Sequence, residues 1–187
     1  MTTHYVDIIV VPDPETTPEQ LLGALYERVH RSLPAAGSVL GVSFPGHALS
    51  PRTLGRTLRL HGAADTLDKL MQTPWLGGVR DHVRIGAVAV APADAPHRLV
   101  QRQQFKTSAA RIRRRRMRRK GETEQQAATA VPTSMERTPN LPFVRLRSHS
   151  TRQTFCLFIA VGPPLSAPVI GQFNAYGLGP NASVPWF

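Results

Sequence analysis

The residues from Arg98 to Lys120 constrain this chain more than any other stretch. They hold 11 of its 23 Lys and Arg and no Asp or Glu. Outside them 12 basic residues balance 12 acidic ones, so the whole formal charge of +11 belongs to 23 consecutive positions. A block of this density on an otherwise neutral domain calls for a polyanionic partner.

Eight of the ten residues from Arg111 to Lys120 are basic, interrupted by Ile112 and Met117. Arg is a good helix former, the run has no Gly, Pro or β-branched cluster, and Ser108 is a fair N-cap, so a helix is expected from Ser108 to Lys120, stopped by Gly121. Like charges one turn apart oppose each other, and an anion supplies the missing counter-charge. Arg outnumbers Lys nine to two in the block. Its planar fork matches phosphates and guanine edges and stacks on bases, which favours nucleic acid over a solvated charge run. A membrane-surface helix needs an apolar face that Ile112 and Met117 do not make. Arg114, Arg115, Arg118 and Arg119 recur at helical spacings and line one face.

The chain has 187 residues, 41% of them hydrophobic, enough for a real core in one large domain or two small ones. Cys156 is the only cysteine, so no disulfide framework or thiolate zinc cluster is expected, and a reducing cytoplasm fits best. No apolar run is long enough to span a bilayer, and no secretory leader is legible.

His4 to Val11 reads as a strand. Thr17-Pro18-Glu19-Gln20 is an N-cap, a Pro at the first helical position and a capping-box Gln; the helix then carries Leu22, Leu25, Val29 and Leu33 and breaks at Pro34. Val39 to Phe44 and Thr57 to His61 are strands, a helix opening near Asp65 carries Leu67, Leu70 and Met71, and Val83 to Val90 is a fourth strand. This β-α-β-β-α-β order is the ferredoxin-like plan, shared by RNA-recognition modules but here without their exposed aromatic pair. The expected fold is therefore α+β: a ferredoxin-like domain over residues 1–96, and a second α/β domain over 97–187 with the arginine helix and a β-hairpin. Ala91 to Pro96 reads as the link. A short helix and loop are expected over Glu122 to Asn140, hairpin strands at Leu141 to Arg147 and Thr154 to Val161, and a last short strand at Gln172 to Tyr176. Val184-Pro185-Trp186-Phe187 is expected to tuck back onto the core.

The scattered acidic residues offer no two-metal arrangement. RNA can instead be cut by its own 2′-hydroxyl, given a base, donors that fix that hydroxyl, and cations on the phosphorane. His30 lies on the shoulder of the buried stripe, where packing, surface and catalytic roles are all open. His149 stands beside Ser148 in a hydroxyl-rich turn with Ser150 and Thr151, whose turn role is as good a reading as a functional one. Tyr176 before Gly177 fits either the core or a ligand contact.

Arg102-Gln103-Gln104-Phe105-Lys106, the helix ending Arg113-Arg114-Arg115-Arg116-Met117-Arg118-Arg119, Leu141-Pro142-Phe143-Val144-Arg145-Leu146-Arg147-Ser148-His149-Ser150-Thr151, Phe155, Tyr176-Gly177-Leu178 and Val184-Pro185-Trp186-Phe187 together resemble the CRISPR repeat-processing endoribonuclease of type I-F systems. Gly41-Val42-Ser43-Phe44-Pro45, Leu58-Arg59-Leu60-His61 and Pro74-Trp75-Leu76 agree. The resemblance implies metal-independent cleavage at the 3′ base of a CRISPR repeat stem-loop, with no cofactor, and retention of the guide RNA in a surveillance complex with other subunits. By position it makes His30 the catalytic histidine, Ser148 the serine on the 2′-hydroxyl and Tyr176 the tyrosine that orients the histidine. Arg102 and Gln104 become base readers at the stem foot, Phe155 the aromatic beneath its last pair, and Arg114, Arg115, Arg118 and Arg119 the groove-lining arginines. Lys106, Ser150 and Thr151 join them as RNA contacts. His149 departs from the pattern and is expected to be a bystander or a phosphate contact. The alternative is a non-catalytic hairpin-binding subunit of a ribonucleoprotein; a DNA-binding or membrane-surface protein would show no hairpin preference.

Overall fold

The computed structural model describes residues 2–104, 109–135, 140–148 and 152–187. Two compact units are present: Met1–Gln103 with Leu141–Phe187, and Gln104–Asn140. Residue 96, where the sequence reading divides the chain, lies between the two main sheets of the first unit.

The first unit opens with β1 (His4–Val10) and α1 (Pro18–Ser32). The cap is the expected one: the Gln20 N–H donates to the Thr17 hydroxyl, the Thr17 N–H donates to the Gln20 side chain, and Pro18 costs no hydrogen bond in the first turn. Leu22, Leu25, Val29 and Leu33 are buried as their spacing requires, joined by Leu21 and Tyr26. A 3-10 turn over Leu33–Ala36 replaces the helix where Pro34 intervenes. Then come β2 (Gly41–Ser43), a small hairpin of β3 (Ala48–Leu49) and β4 (Arg52–Thr53), β5 (Thr57–Gly62), α2 (Ala64–Met71), β6 (Val83–Ile85) and β7 (Ala89–Val90). Apart from the inserted hairpin, this is the expected β-α-β-β-α-β sequence of elements. The sheet runs β2-β5-β1-β6 with every neighbour antiparallel, and β7 also pairs with β1. The expected fourth strand is two short ones because Gly86 interrupts it, its N–H donating to the Asp7 carbonyl.

The second sheet has the order β11-β8-β10-β9, from β8 (His97–Gln103), β9 (Phe143–Arg147), β10 (Thr154–Val161) and β11 (Ser183–Pro185). The terminal segment does return to the core: Val184 is buried against β8, and the Arg59 guanidinium donates to the Phe187 carbonyl. Its opposite edge, β9, lies along α1. Gly23 makes the approach possible, since a Cβ there would stand 2.7 Å from the Arg145 carbonyl oxygen. Val144, Leu146, Leu157 and Ile159 thereby join Leu22, Leu25 and the first sheet's Val6, Ile8, Leu58 and Leu60 in one core. Each such side chain is worth roughly 1.5 to 3 kcal/mol when fully buried.

One expected strand is absent. Gln172 to Tyr176 is irregular and ends in a tight turn, because the Asn174 side chain accepts from the backbone N–H groups of Tyr176 and Leu178. An Asx turn of this kind takes the donors that a sheet ladder would have used.

The second unit contains α3 (Ala109–Lys120) and α4 (Glu124–Ala130). Gly121 ends α3 in the left-handed region, φ 65°, with its N–H donating to the Met117 carbonyl. Among the described residues no helix is long and apolar enough to cross a membrane.

Candidate active site and nucleic-acid interface

Near the end of α1 the helical repeat brings Tyr26 into the core and His30 to its rim, half-buried. The 174–178 turn meets both. The Tyr26 hydroxyl donates to the Tyr176 carbonyl at 2.7 Å, and burial pushes the Tyr26 phenol well above its ordinary range, so it remains a donor. Nδ1 of His30 lies 2.7 Å from the Ala175 carbonyl oxygen. A carbonyl only accepts, so Nδ1 carries the hydrogen, and in the neutral imidazole Nε2 holds the free lone pair. The His30 ring also stacks on Tyr176, centroids 4.0 Å apart and planes 4° apart. One hydrogen bond and one ring face thus fix both the tautomer and the plane of His30.

The turn is itself over-determined. Gly177 sits at φ 70°, where a Cβ would come within 2.4 Å of the Val42 side chain, and its carbonyl accepts from the Val42 N–H at 2.7 Å. Only glycine meets both conditions without strain.

Arg102 on β8 faces the same region, its guanidinium 5.4 Å from the Tyr176 ring centre and 5.8 Å from that of Phe155. Phe155 on β10 is half-buried against the core. Ser148 follows β9 directly, and its N–H donates to the Gln153 carbonyl to close the hairpin. The preceding Arg147 N–H donates to the Glu27 carboxylate. Glu27 is three residues before His30, so this bond brings the end of β9 to the helix face that His30 occupies. His30, Ser148, Tyr176, Arg102 and Phe155 are therefore all on the first unit, brought there by five elements: α1, the end of β9, the 174–178 turn, β8 and β10. Lys106, His149, Ser150 and Thr151 lie outside the described residues. Gln104 follows β8 and is exposed at the start of the second unit.

Within the second unit the arginines of α3 divide into two sets. Arg113 donates to the Val131 carbonyl at 2.8 Å and to the Thr133 hydroxyl at 3.0 Å. Arg116 makes a two-pronged pair with Glu122, both bonds 2.7 Å, which holds the Glu122 carboxyl below its usual range and the guanidinium above its own. These two, with half-buried Ile112 and Met117, form the face of α3 that meets α4, where Ala127 and Val131 are buried. Arg114, Arg115, Arg118 and Arg119 are exposed on the other face. α4 has its own capping box at Thr123 and Gln126, for which T-x-x-Q is the signal in the sequence. Tyr26 and the Ala175 carbonyl have no such signal; a buried tyrosine and a backbone carbonyl leave no chemical signature in a sequence.

Residues 5–187 match the model of the family described as CRISPR-associated protein (Cas_Csy4). The chain is 45% identical over 185 residues to the CRISPR-associated endonuclease Cas6/Csy4 of Pseudomonas aeruginosa (strain UCBPP-PA14), covering 98% of this chain and 99% of that protein. It is 40% identical over 185 residues to the CRISPR-associated endonuclease Cas6/Csy4 of Escherichia coli (strain UTI89 / UPEC), with the same coverage.

Proposed function

The chain belongs to the Csy4 family of CRISPR-associated proteins, and from that premise we propose that it is an endoribonuclease that cuts CRISPR precursor RNA at the 3′ base of the repeat stem-loop. The cut is metal-independent, and the protein keeps the guide RNA as a cytoplasmic subunit of a type I-F surveillance complex. The observation that supports the chemistry best is the double restraint on His30, bonded to the Ala175 carbonyl at 2.7 Å and stacked on Tyr176 at 4.0 Å. It leaves Nε2 as a fixed base.

In this mechanism Ser148 holds the 2′-hydroxyl of the nucleotide at the stem foot and Nε2 of His30 takes its proton. The 2′-oxygen attacks the adjacent phosphorus, the bond to the 5′-oxygen breaks, and that oxygen takes up a proton. The products are a 2′,3′-cyclic phosphate and a 5′-hydroxyl. Arg102 supplies positive charge near the ring pair, where it stabilises the phosphorane and reads the stem foot with Gln104. Phe155 stacks beneath the last base pair and marks where the duplex ends. Arg114, Arg115, Arg118 and Arg119 line the RNA groove, with Lys106, Ser150 and Thr151 as further contacts. Residues 97–187 are the RNA-binding part of the chain in this reading.

The test is cleavage of a labelled repeat hairpin in EDTA by the wild type and by His30→Ala. A single cut at the stem base by the wild type is expected. The variant should cut some 10² to 10⁴ times more slowly with hairpin affinity unchanged, the range for loss of a positioned base. Tight binding without cutting by either protein would leave a non-catalytic hairpin-binding subunit, and equal cutting by both would remove His30 from the mechanism.

A further inference from the structure

β9 lies beside α1 with both elements running the same way, and the fit between them is one of spacing. Ser148 donates its backbone N–H to the carbonyl of Gln153, the residue before β10. Backbone groups alternate sides along an antiparallel edge strand, so Arg147 and Arg145 turn theirs away from β10 and toward α1. There Gly23 gives the Arg145 carbonyl room, since a Cβ would stand 2.7 Å from its oxygen. One helical turn further on, the Glu27 carboxylate accepts from the Arg147 N–H. Backbone groups in the middle of a helix are engaged within it, so at this level a side chain has to accept from the strand.

The rises of the two elements agree. Gly23 to Glu27 is about 6 Å of helix, and Arg145 to Arg147 is about 6.8 Å of strand. Beyond those contacts His30 stands about 10.5 Å from Gly23 along the helix, and Ser148 about 10.2 Å from Arg145 along the strand. Both residues of the proposed chemistry therefore arrive at one level, and the Glu27 bond lies just before that level on each element. Glu27 is half-buried, a carboxylate beside the place where the reading above puts a phosphate. Its charge opposes that phosphate, so what it contributes is geometry.

We propose that Glu27 is a positioning residue for the cut. By holding the Arg147 N–H it fixes the height of the Ser148 hydroxyl relative to Nε2 of His30, and with it the seat of the 2′-hydroxyl between them. The proposal rests on the hairpin-cleaving reading above, which gives Ser148 and His30 their parts. Glu27 itself touches no substrate and takes no proton.

The test is single-turnover cleavage of the repeat hairpin at saturating protein, with hairpin affinity and urea unfolding measured on the same full-length variants. Glu27→Ala removes the acceptor and puts a good helix former in its place. Its saturated rate should fall about tenfold to a hundredfold, the cost of a reacting group displaced by up to about 1 Å. Glu27→Gln keeps an acceptor oxygen, though a neutral one, and should cut within about threefold of wild type. Both variants should bind the hairpin at least as tightly as wild type, because each removes a negative charge from beside the phosphates. A role in packing alone would lower the urea midpoint and leave the saturated rate unchanged. Ser148→Ala, its residual cutting followed over long incubations, supplies the decisive background. There Glu27→Ala should cost less than about a further twofold, since a residue that acts through Ser148 has nothing left to place. A wild-type saturated rate in Glu27→Ala, an equal loss in Glu27→Gln, or the full loss repeated on the Ser148→Ala background overturns this inference alone. No cutting by wild type, or Ser148→Ala cutting like wild type, would sink the hairpin-cleaving reading and this inference with it.

Discussion

His30 and Arg115 sit on helices that answer to opposite demands. α1 is anchored from both sides: its apolar stripe is buried, Gly23 presses it to β9, and His30 receives a hydrogen bond acceptor and a ring face from a turn about 145 residues away in sequence. α3 holds one side of itself through Arg113 and Arg116 and gives the other to solvent as bare charge. The general-base role proposed for His30 requires one fixed position relative to the atom to be deprotonated, and an over-determined helix supplies it. The phosphate-binding role proposed for α3 works through summed charge, which tolerates small displacements, and needs only enough internal bonding to keep the cations on one side.

The sharpest way to break this contrast is to strip the exposed face. Replacing Arg114, Arg115, Arg118 and Arg119 together with Ala should weaken hairpin binding about a thousandfold, as expected for four charge-assisted contacts, and flatten its salt dependence. The cleavage rate at saturating protein should hardly change. A large fall in that saturated rate would mean that α3 positions the scissile phosphate as well as binding the stem.

Gly177→Ala probes the other region. The added methyl meets Val42 at 2.4 Å in a left-handed backbone, so stability should drop by about 2 to 3 kcal/mol by the usual cost of overpacking and strain. The surviving folded protein should cut at least tenfold more slowly with unchanged hairpin affinity, the cost of a base moved out of position. Urea titration and single-turnover kinetics check the two halves, and wild-type values in both would show that His30 does not depend on this turn.

A milder acid titration should separate the units. His61 is buried on β5 beside the Ser43 hydroxyl, and desolvation, aided by Arg59, holds its imidazole down to about 3 from an ordinary 6.5. Below pH 6.5 the unfolded chain takes up a proton that the folded chain refuses. The stability is therefore complete above that pH and is lost as pH falls toward 3. The loss is roughly 2 kcal/mol by pH 5. Residues 104–140 contain no histidine, so the α3–α4 unit has no such term. Urea midpoints measured from pH 7.5 to 5 should fall for wild type and lose most of this slope in His61→Gln, the remainder belonging to His47 and His97, whose imidazoles burial also holds down; an unchanged slope would place the acid sensitivity elsewhere.

Much of this was legible in the chain itself. The Leu22, Leu25, Val29, Leu33 stripe and its Thr17 cap specify α1 because periodicity and capping are local chemistry, and the arginine block with Gly121 specifies α3 for the same reason. The resemblance supplied the identities of His30, Ser148 and Tyr176 as a set. β8 was not legible as a strand, since a run that ends in Gln-Arg-Gln looks like the start of the basic block until β10 and β11 pair with it. The supposed strand at Gln172 to Tyr176 failed because Asn174 spends its side chain on the turn's own donors.

By itself, then, the sequence determined the helices, the hairpin strands and the concentration of charge, because each depends on neighbours within a few residues. Tertiary structure alone decided which arginines of α3 are structural and which exposed, that Tyr26 and the Ala175 carbonyl fix His30, and that β9 carries Ser148 to the end of α1. Those are choices among distant partners, and nothing in the local pattern records which partner folding will bring.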